Sequence, residues 1–147
     1  MSERQAILRQ KLEANQRRLK RPVRARALAA RGLAVSAIGA DQQTTITRDV
    51  RTSFEDGEWQ KISRDDLVNE LRELGRGDTL FVFTDLDDEP GFVVARSAVA
   101  EAVAADPATF SPDGFFAVDG EISAALSIDI DEDGSLEMKC AWKIQNA

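Results

Sequence analysis

ALSIDIDEDGSLEMKCAWKI (125–144) is the stretch whose reading decides the fold class. In its first part Leu126, Ile128 and Ile130 alternate with polar neighbours. In its second part Leu136, Met138, Cys140, Trp142 and Ile144 do the same. A period of two puts each set on one side of an extended strand, and Asp-Glu-Asp-Gly between them supplies turn residues. The expectation is an antiparallel hairpin with one buried face. Cys140, between Met138 and Trp142, then reads as a buried thiol packing like a small hydrophobe.

Working outward, the same signals recur. TLFVFT (79–84), GFVVAR (91–96) and FFAV (115–118) read as strands, and LAVSAI (33–38) as a short buried one. Over 44–62, Ile46, Val50 and Phe54 fall on one face at period two, and Asp56-Gly57 gives a tight turn into EWQKI, so a further hairpin is expected. Trp59 on that hairpin reads as core at a sheet edge. Ser63 with Asp66 opens a helix over 64–74 whose buried stripe is Leu67, Leu71 and Leu74. Ser97 is placed to cap an Ala/Val helix that stops near Asp106-Pro107. Strands mostly neighbour strands. The fold class is therefore α+β: a mainly antiparallel sheet of about six or seven strands with two short helices, preceded by an N-terminal basic helix.

The chain divides by charge into a basic helical arm, 1–31, and an acidic α+β domain, 32–147. The arm holds ten Lys/Arg against two acids, +8, and the remainder nine against twenty-four, −15, which together make the net −7. Helix is expected from Glu3 to Lys20, where Leu8, Leu12, Asn15 and Leu19 follow the 4-3-4 spacing of a short heptad seam. Glu13 and Arg17 are spaced for an i,i+4 pair. Pro22 should break the helix, and a second one, Val23 to Arg31, should end at Gly32. Arg17, Arg18, Lys20, Arg21, Arg24 and Arg26 could neutralise phosphates, but the arm has no aromatic side chain to stack on bases and the body would repel a polyanion. Docking on the acidic body, or on a neighbouring subunit, is the favoured reading over nucleic acid.

Absences prune the chemistry. With no histidine, Ser-His-Asp and Cys-His nucleophilic systems and His-based metal sites cannot be built, and there is no tyrosine. One cysteine cannot make an internal disulfide, which fits a reducing cytoplasm. No run is apolar enough to cross a bilayer, and the N-terminus lacks a secretory signal pattern. Neither a cofactor nor a metal is expected.

Two acidic motifs remain. Phe83-Thr84-Asp85-Leu86-Asp87-Asp88 resembles the first motif of haloacid-dehalogenase-type phosphotransferases. That resemblance implies Asp85 as nucleophile, Asp87 as acid/base and Mg²⁺ as counter-charge. It covers about eight residues. Glu89 stands where the pattern wants a hydroxyl, and Pro90-Gly91 turns the chain straight into another strand where the family needs a crossover helix. Asp129-Ile-Asp131-Glu-Asp133-Gly134 matches the start of an EF-hand calcium loop, but the twelfth position is Cys140 in place of a bidentate Glu. Both read better as solvated hairpin turns.

The expected function is a non-enzymatic protein-interaction module. Its acidic face, Asp85, Asp87, Asp88 and Glu89 with Asp131, Glu132 and Asp133, would meet a basic partner in the manner of immunity proteins and antitoxins. The alternative is a structural or assembly component of a phage particle or bacterial complex, with the arm reaching a neighbouring subunit through the Leu8, Leu12 and Leu19 seam. A phosphotransferase on Asp85 and Asp87 is the third reading.

Overall fold

A computed structural model describes residues 2–54 and 57–141. Eleven elements follow one another: α1 (Glu3–Ala30), β1 (Val35–Ala37), α2 (Ala40–Ser53), β2 (Gln60–Ile62), α3 (Arg64–Glu73), β3 (Thr79–Phe83), β4 (Phe92–Ala95), α4 (Arg96–Ala105), β5 (Gly114–Asp119), β6 (Ala125–Ile130) and β7 (Leu136–Ala141). The seven strands form one sheet in the order β1-β4-β3-β5-β6-β7-β2, every pair antiparallel. The α+β class and the strand count are as the sequence implies, with one helix more than expected.

The 125–144 hairpin forms in the expected register, Ile128 opposite Met138 and Ile130 opposite Leu136. Trp142 and Ile144 lie outside the described residues. The Leu126, Ile128, Leu136 and Met138 face is buried as expected, and on the other face Ala125, Ser127 and Ala141 are buried too while Asp129, Glu137 and Lys139 are half-buried, because helices lie on both sides of the sheet. On one side Leu80, Val82, Val94, Phe115 and Leu126 pack with Leu67 and Leu71 of α3, Val99 and Val103 of α4, and Ala25 and Leu28 of α1. On the other, Phe81, Phe83, Val118 and Ala125 pack with Ile46 and Val50 of α2 and with Phe54. A fully buried side chain of this size contributes about 1.5–3 kcal/mol, so both layers matter to stability.

The hairpin expected over 44–62 is not there. Residues 40–53 are α2, and within that span only Gln60–Ile62 is strand. Ile46, Val50 and Phe54 are four residues apart, which fits one face of a helix as well as one face of a strand. The polar residues on that face decide it. Gln43 and Thr47 fall on the same helical stripe and are buried with it. Asp56 lies outside the described residues. Trp59 is 47% exposed, beside the short edge strand β2, with Lys139 Nζ 5.8 Å from its ring centroid. Of LAVSAI only Val35–Ala37 is strand, at the sheet edge and with Ser36 and Ala37 exposed, while Leu33 and Ile38 on either side of it are buried.

Pro22 does not break α1, which is continuous from Glu3 to Ala30, about 42 Å at 1.5 Å per residue. Proline removes one backbone donor from the ladder. Contacts on both sides of it with one body surface, from Arg17, Lys20, Arg24 and Leu28, hold the two halves in line. The end at Gly32 is as expected. Its φ is +84°, its N–H donates to Ala29 O, and the Leu33 N–H reaches back to Leu28 O. This is a Schellman closure whose flanking leucines both join the core. Glu13 pairs with Arg9 rather than Arg17, which turns to the body. Ser63 caps α3 through the Asp66 N–H, whereas α4 starts at Arg96, one residue before Ser97, with no side-chain cap.

Candidate functional site

The β3–β4 connection, residues 84–91, carries the first acidic cluster, and α1 lies across it. Lys20 Nζ is 3.2 Å from Asp88 Oδ2 and 3.2 Å from Glu89 Oε1. Arg24 donates through Nε (3.0 Å) and Nη2 (3.1 Å) to the two oxygens of Glu89, a forked pair. Arg51 of α2 pairs with Asp87. The Asp85 carboxylate accepts the Asp87 backbone N–H inside its own turn at 2.7 Å. Arg17, 6% exposed, donates to the Asp87 carbonyl and to Thr44 Oγ1. Three of this loop's four acids, out of the seven expected to meet a partner, are thus neutralised within the chain.

The electrostatics follow from that geometry. Arg24 holds the Glu89 carboxyl below the usual carboxylate range; burial opposes this and Lys20 reinforces it. Burial would lower the Lys20 ammonium, but Asp88 and Glu89 outweigh it and raise it. The Arg24 guanidinium is raised by Glu89. Exposed ion pairs contribute about 0–1 kcal/mol each, but Glu89 is 16% exposed at its side chain and has two cationic partners, so this cluster belongs above that range.

Sequence reading missed the residue that shapes this loop. Gln43, fully buried in α2, donates through Nε2 to Glu89 O (2.9 Å) and accepts the Gly91 N–H at Oε1 (3.1 Å). Gly91 is required beside it, because a Cβ there would sit 2.2 Å from the Phe83 ring. The available signal was a polar residue three positions before Ile46, on the apolar stripe.

The other basic-arm residues do not converge on the loop. Arg18 bonds Asn15 Oδ1, and Arg26 bonds Pro22 O, both local to the helix. Arg21 is half-buried, with its Nε buried and without a partner. The seam residues Leu8, Leu12 and Leu19 are 54%, 65% and 56% exposed, and Val23 continues their line at 55%. At about 100° per residue, Leu8 and Leu19 stand nearly opposite Arg17. The helix therefore has a basic inner face and an apolar outer line.

The second acidic cluster, Asp131, Glu132 and Asp133, forms the β6–β7 turn. The Ser135 hydroxyl lies 3.0 Å from Asp131 and 2.7 Å from Asp133, and holds the Asp133 carboxyl below its ordinary range. Among the described residues none of the three has a cationic partner within 4.0 Å. This turn and the 85–89 loop occupy the same end of the sheet, separated by β5 and about three strand spacings, ~14 Å, so they do not share a cation site. Asp129, Asp131 and Glu137 do bring carboxylate oxygens within 4.8 Å of one another, the one place among the described residues where acids gather closely enough to hold a hard cation.

The resemblance at 83–88 implies a parallel strand–crossover–strand unit. Residues 79–95 instead make an antiparallel hairpin, Phe81 opposite Val93 and Val82 opposite Phe92. Cys140 is half-buried against the main core, and burial first, then the charge of Glu70, push its thiol up. No helix among the described residues is long and apolar enough to cross a membrane. No protein-family model matches this chain, and no curated protein or solved structure with which it was compared matches it either.

Proposed function

We propose that this protein is a non-catalytic interaction module that joins a larger assembly through the outer face of α1. One observation carries the reading. The inner cations Arg17, Lys20 and Arg24 engage the chain's own 85–89 loop, while Leu8, Leu12, Leu19 and Val23 face away from it, each more than half exposed. An apolar line this narrow has the width of a coiled-coil seam rather than of a core-facing stripe, which suits a single helical partner. Arg4, Lys11 and Arg18 recur every seven residues beside it. Two copies meeting seam to seam would set these cations against each other, so the fitting partner is an amphipathic helix with acidic flanks.

A designed four-heptad peptide with a leucine seam and glutamate flanks tests this by titration calorimetry. One peptide should bind per chain, more weakly as salt rises, and at least about tenfold more weakly to Leu12→Asp/Leu19→Asp protein. Equal binding of a lysine-flanked peptide, or concentration-dependent dimerisation abolished by Leu12→Asp, contradicts the acidic-helix reading. Hydrolysis of a phosphate ester with Mg²⁺ that is lost in Asp85→Asn contradicts the non-catalytic one.

A second reading rests on a different observation, the unpaired acids of the β6–β7 turn. Asp131, Glu132 and Asp133 would meet a basic partner as an immunity-type inhibitor does. Loss of binding to a cationic peptide in the triple Asn/Gln/Asn variant supports it, and unchanged binding removes it.

A further inference from the structure

Between the C-terminal half of α1, the β3–β4 sheet surface and the 110–112 loop lies a cavity of about 300 Å³. Its floor is apolar: Leu28, Val82, Phe92, Val94 and Phe110. Its rim carries Arg24, Arg31, Glu89, Thr84 and Ser111. We propose that this cavity binds a small amphipathic monoanion, a medium-chain or aromatic carboxylate, with the anionic head at Arg31 and the hydrocarbon on the Val82–Phe92–Phe110 floor. This site is separate from the outer face of α1, and either proposal stands if the other fails.

Charge sets the sign of the ligand. Lys20 and Arg24 are matched by Asp88 and Glu89, two against two. Arg31 has no carboxylate within 4.0 Å among the described residues, and among them its guanidinium donates only to the Thr109 carbonyl, which leaves its other side-chain N–H donors for a ligand. The C-terminus of α1 opposes an anion with about half a unit of negative charge, but two of its last carbonyls are closed by the Gly32 and Leu33 N–H groups and Arg31 supplies a whole positive charge. Thr84 lies on the same rim, and its hydroxyl, without a hydrogen-bond partner among the described residues, is a further polar group for the ligand. The size is set by volume. A cavity at the small end of the ligand-site range suits a molecule on the order of ten non-hydrogen atoms, with a Kd on the order of 0.1 mM.

The test is a titration of the full chain with sodium octanoate, octylamine and 1-octanol, followed by amide chemical shifts. Octanoate should saturate, move the amides of Leu28, Val82, Val94 and Phe110, and bind at least tenfold tighter than octylamine. Arg31→Gln should weaken octanoate at least tenfold and leave octanol within about twofold. Thr84→Phe, at a half-exposed position that can accept the larger ring, should block both, with circular dichroism checking that each variant folds. Equal affinity for octanoate and octylamine, an unaffected Arg31→Gln, shifts confined to other surfaces, or no saturation by octanoate would each overturn the proposal.

Discussion

Asp119 and Gln43 are polar side chains at fully buried positions, and each holds a turn that the surrounding apolar core could not specify. Asp119 accepts the N–H groups of Ser123 (2.6 Å), Ala124 (2.9 Å) and Arg76 (2.9 Å), with the Ser123 hydroxyl at 2.6 Å. Burial pushes its carboxyl up, but these donors outweigh burial and hold it below the ordinary 3.8. They also fix a turn in which Ile122 has φ +55°, an unusual value for a β-branched residue. Asp119→Ala should cost about 3 kcal/mol, since it strands several donors at once, and this is read as a lower midpoint in urea. The thiol of Cys140, disfavoured as a thiolate, should react with a disulfide reagent at pH 8 only slowly until denaturant is added; prompt reaction in the native state contradicts its packing. Neither buried polar residue was legible in the sequence. An aspartate before a glycine and a glutamine among threonines look like ordinary surface residues until tertiary partners are known.

Elements were legible where periodicity had only one reading. ALSIDI and SLEMKC alternate strictly, and both became the expected strands. Ile46, Val50 and Phe54 satisfied two periods at once, and burial of Gln43 and Thr47 settled the choice for helix. In α1 the local rule at Pro22 lost to tertiary contacts on either side. The strain should remain measurable. Pro22→Ala restores a donor to the ladder at an exposed position and should stabilise the fold by about 1–2 kcal/mol, the helix gain partly offset by a more flexible unfolded chain. A lower denaturation midpoint would show that Pro22 sets a bend that α1 needs. The acidic residues of the candidate site were found by sequence, but not their partners, because pairing across 65 to 69 residues leaves no local pattern.

At the scale of the whole molecule, the charge division visible in the sequence folds back on itself: the inner face of the basic helix meets the acidic loop. The docking of α1 should then have a flat pH plateau. Glu89 is depressed from 4.5, so its contribution is present above that value and is lost as pH falls through its lower folded value. Lys20 is raised from 10.5, so its contribution is present below that value and is lost as pH rises beyond it. Amide shifts of Ala25 should hold steady between about pH 4.5 and 10.5 and move outside that window. Residue-resolved hydrogen exchange of the full chain and of Glu89→Lys tests the docked helix most directly. The account predicts protection over 17–30 that falls at least about tenfold in Glu89→Lys, with β3, β5 and β6 unchanged and 3–16 exchanging readily in both. Equal exchange along all of α1, indifferent to Glu89→Lys, would contradict it.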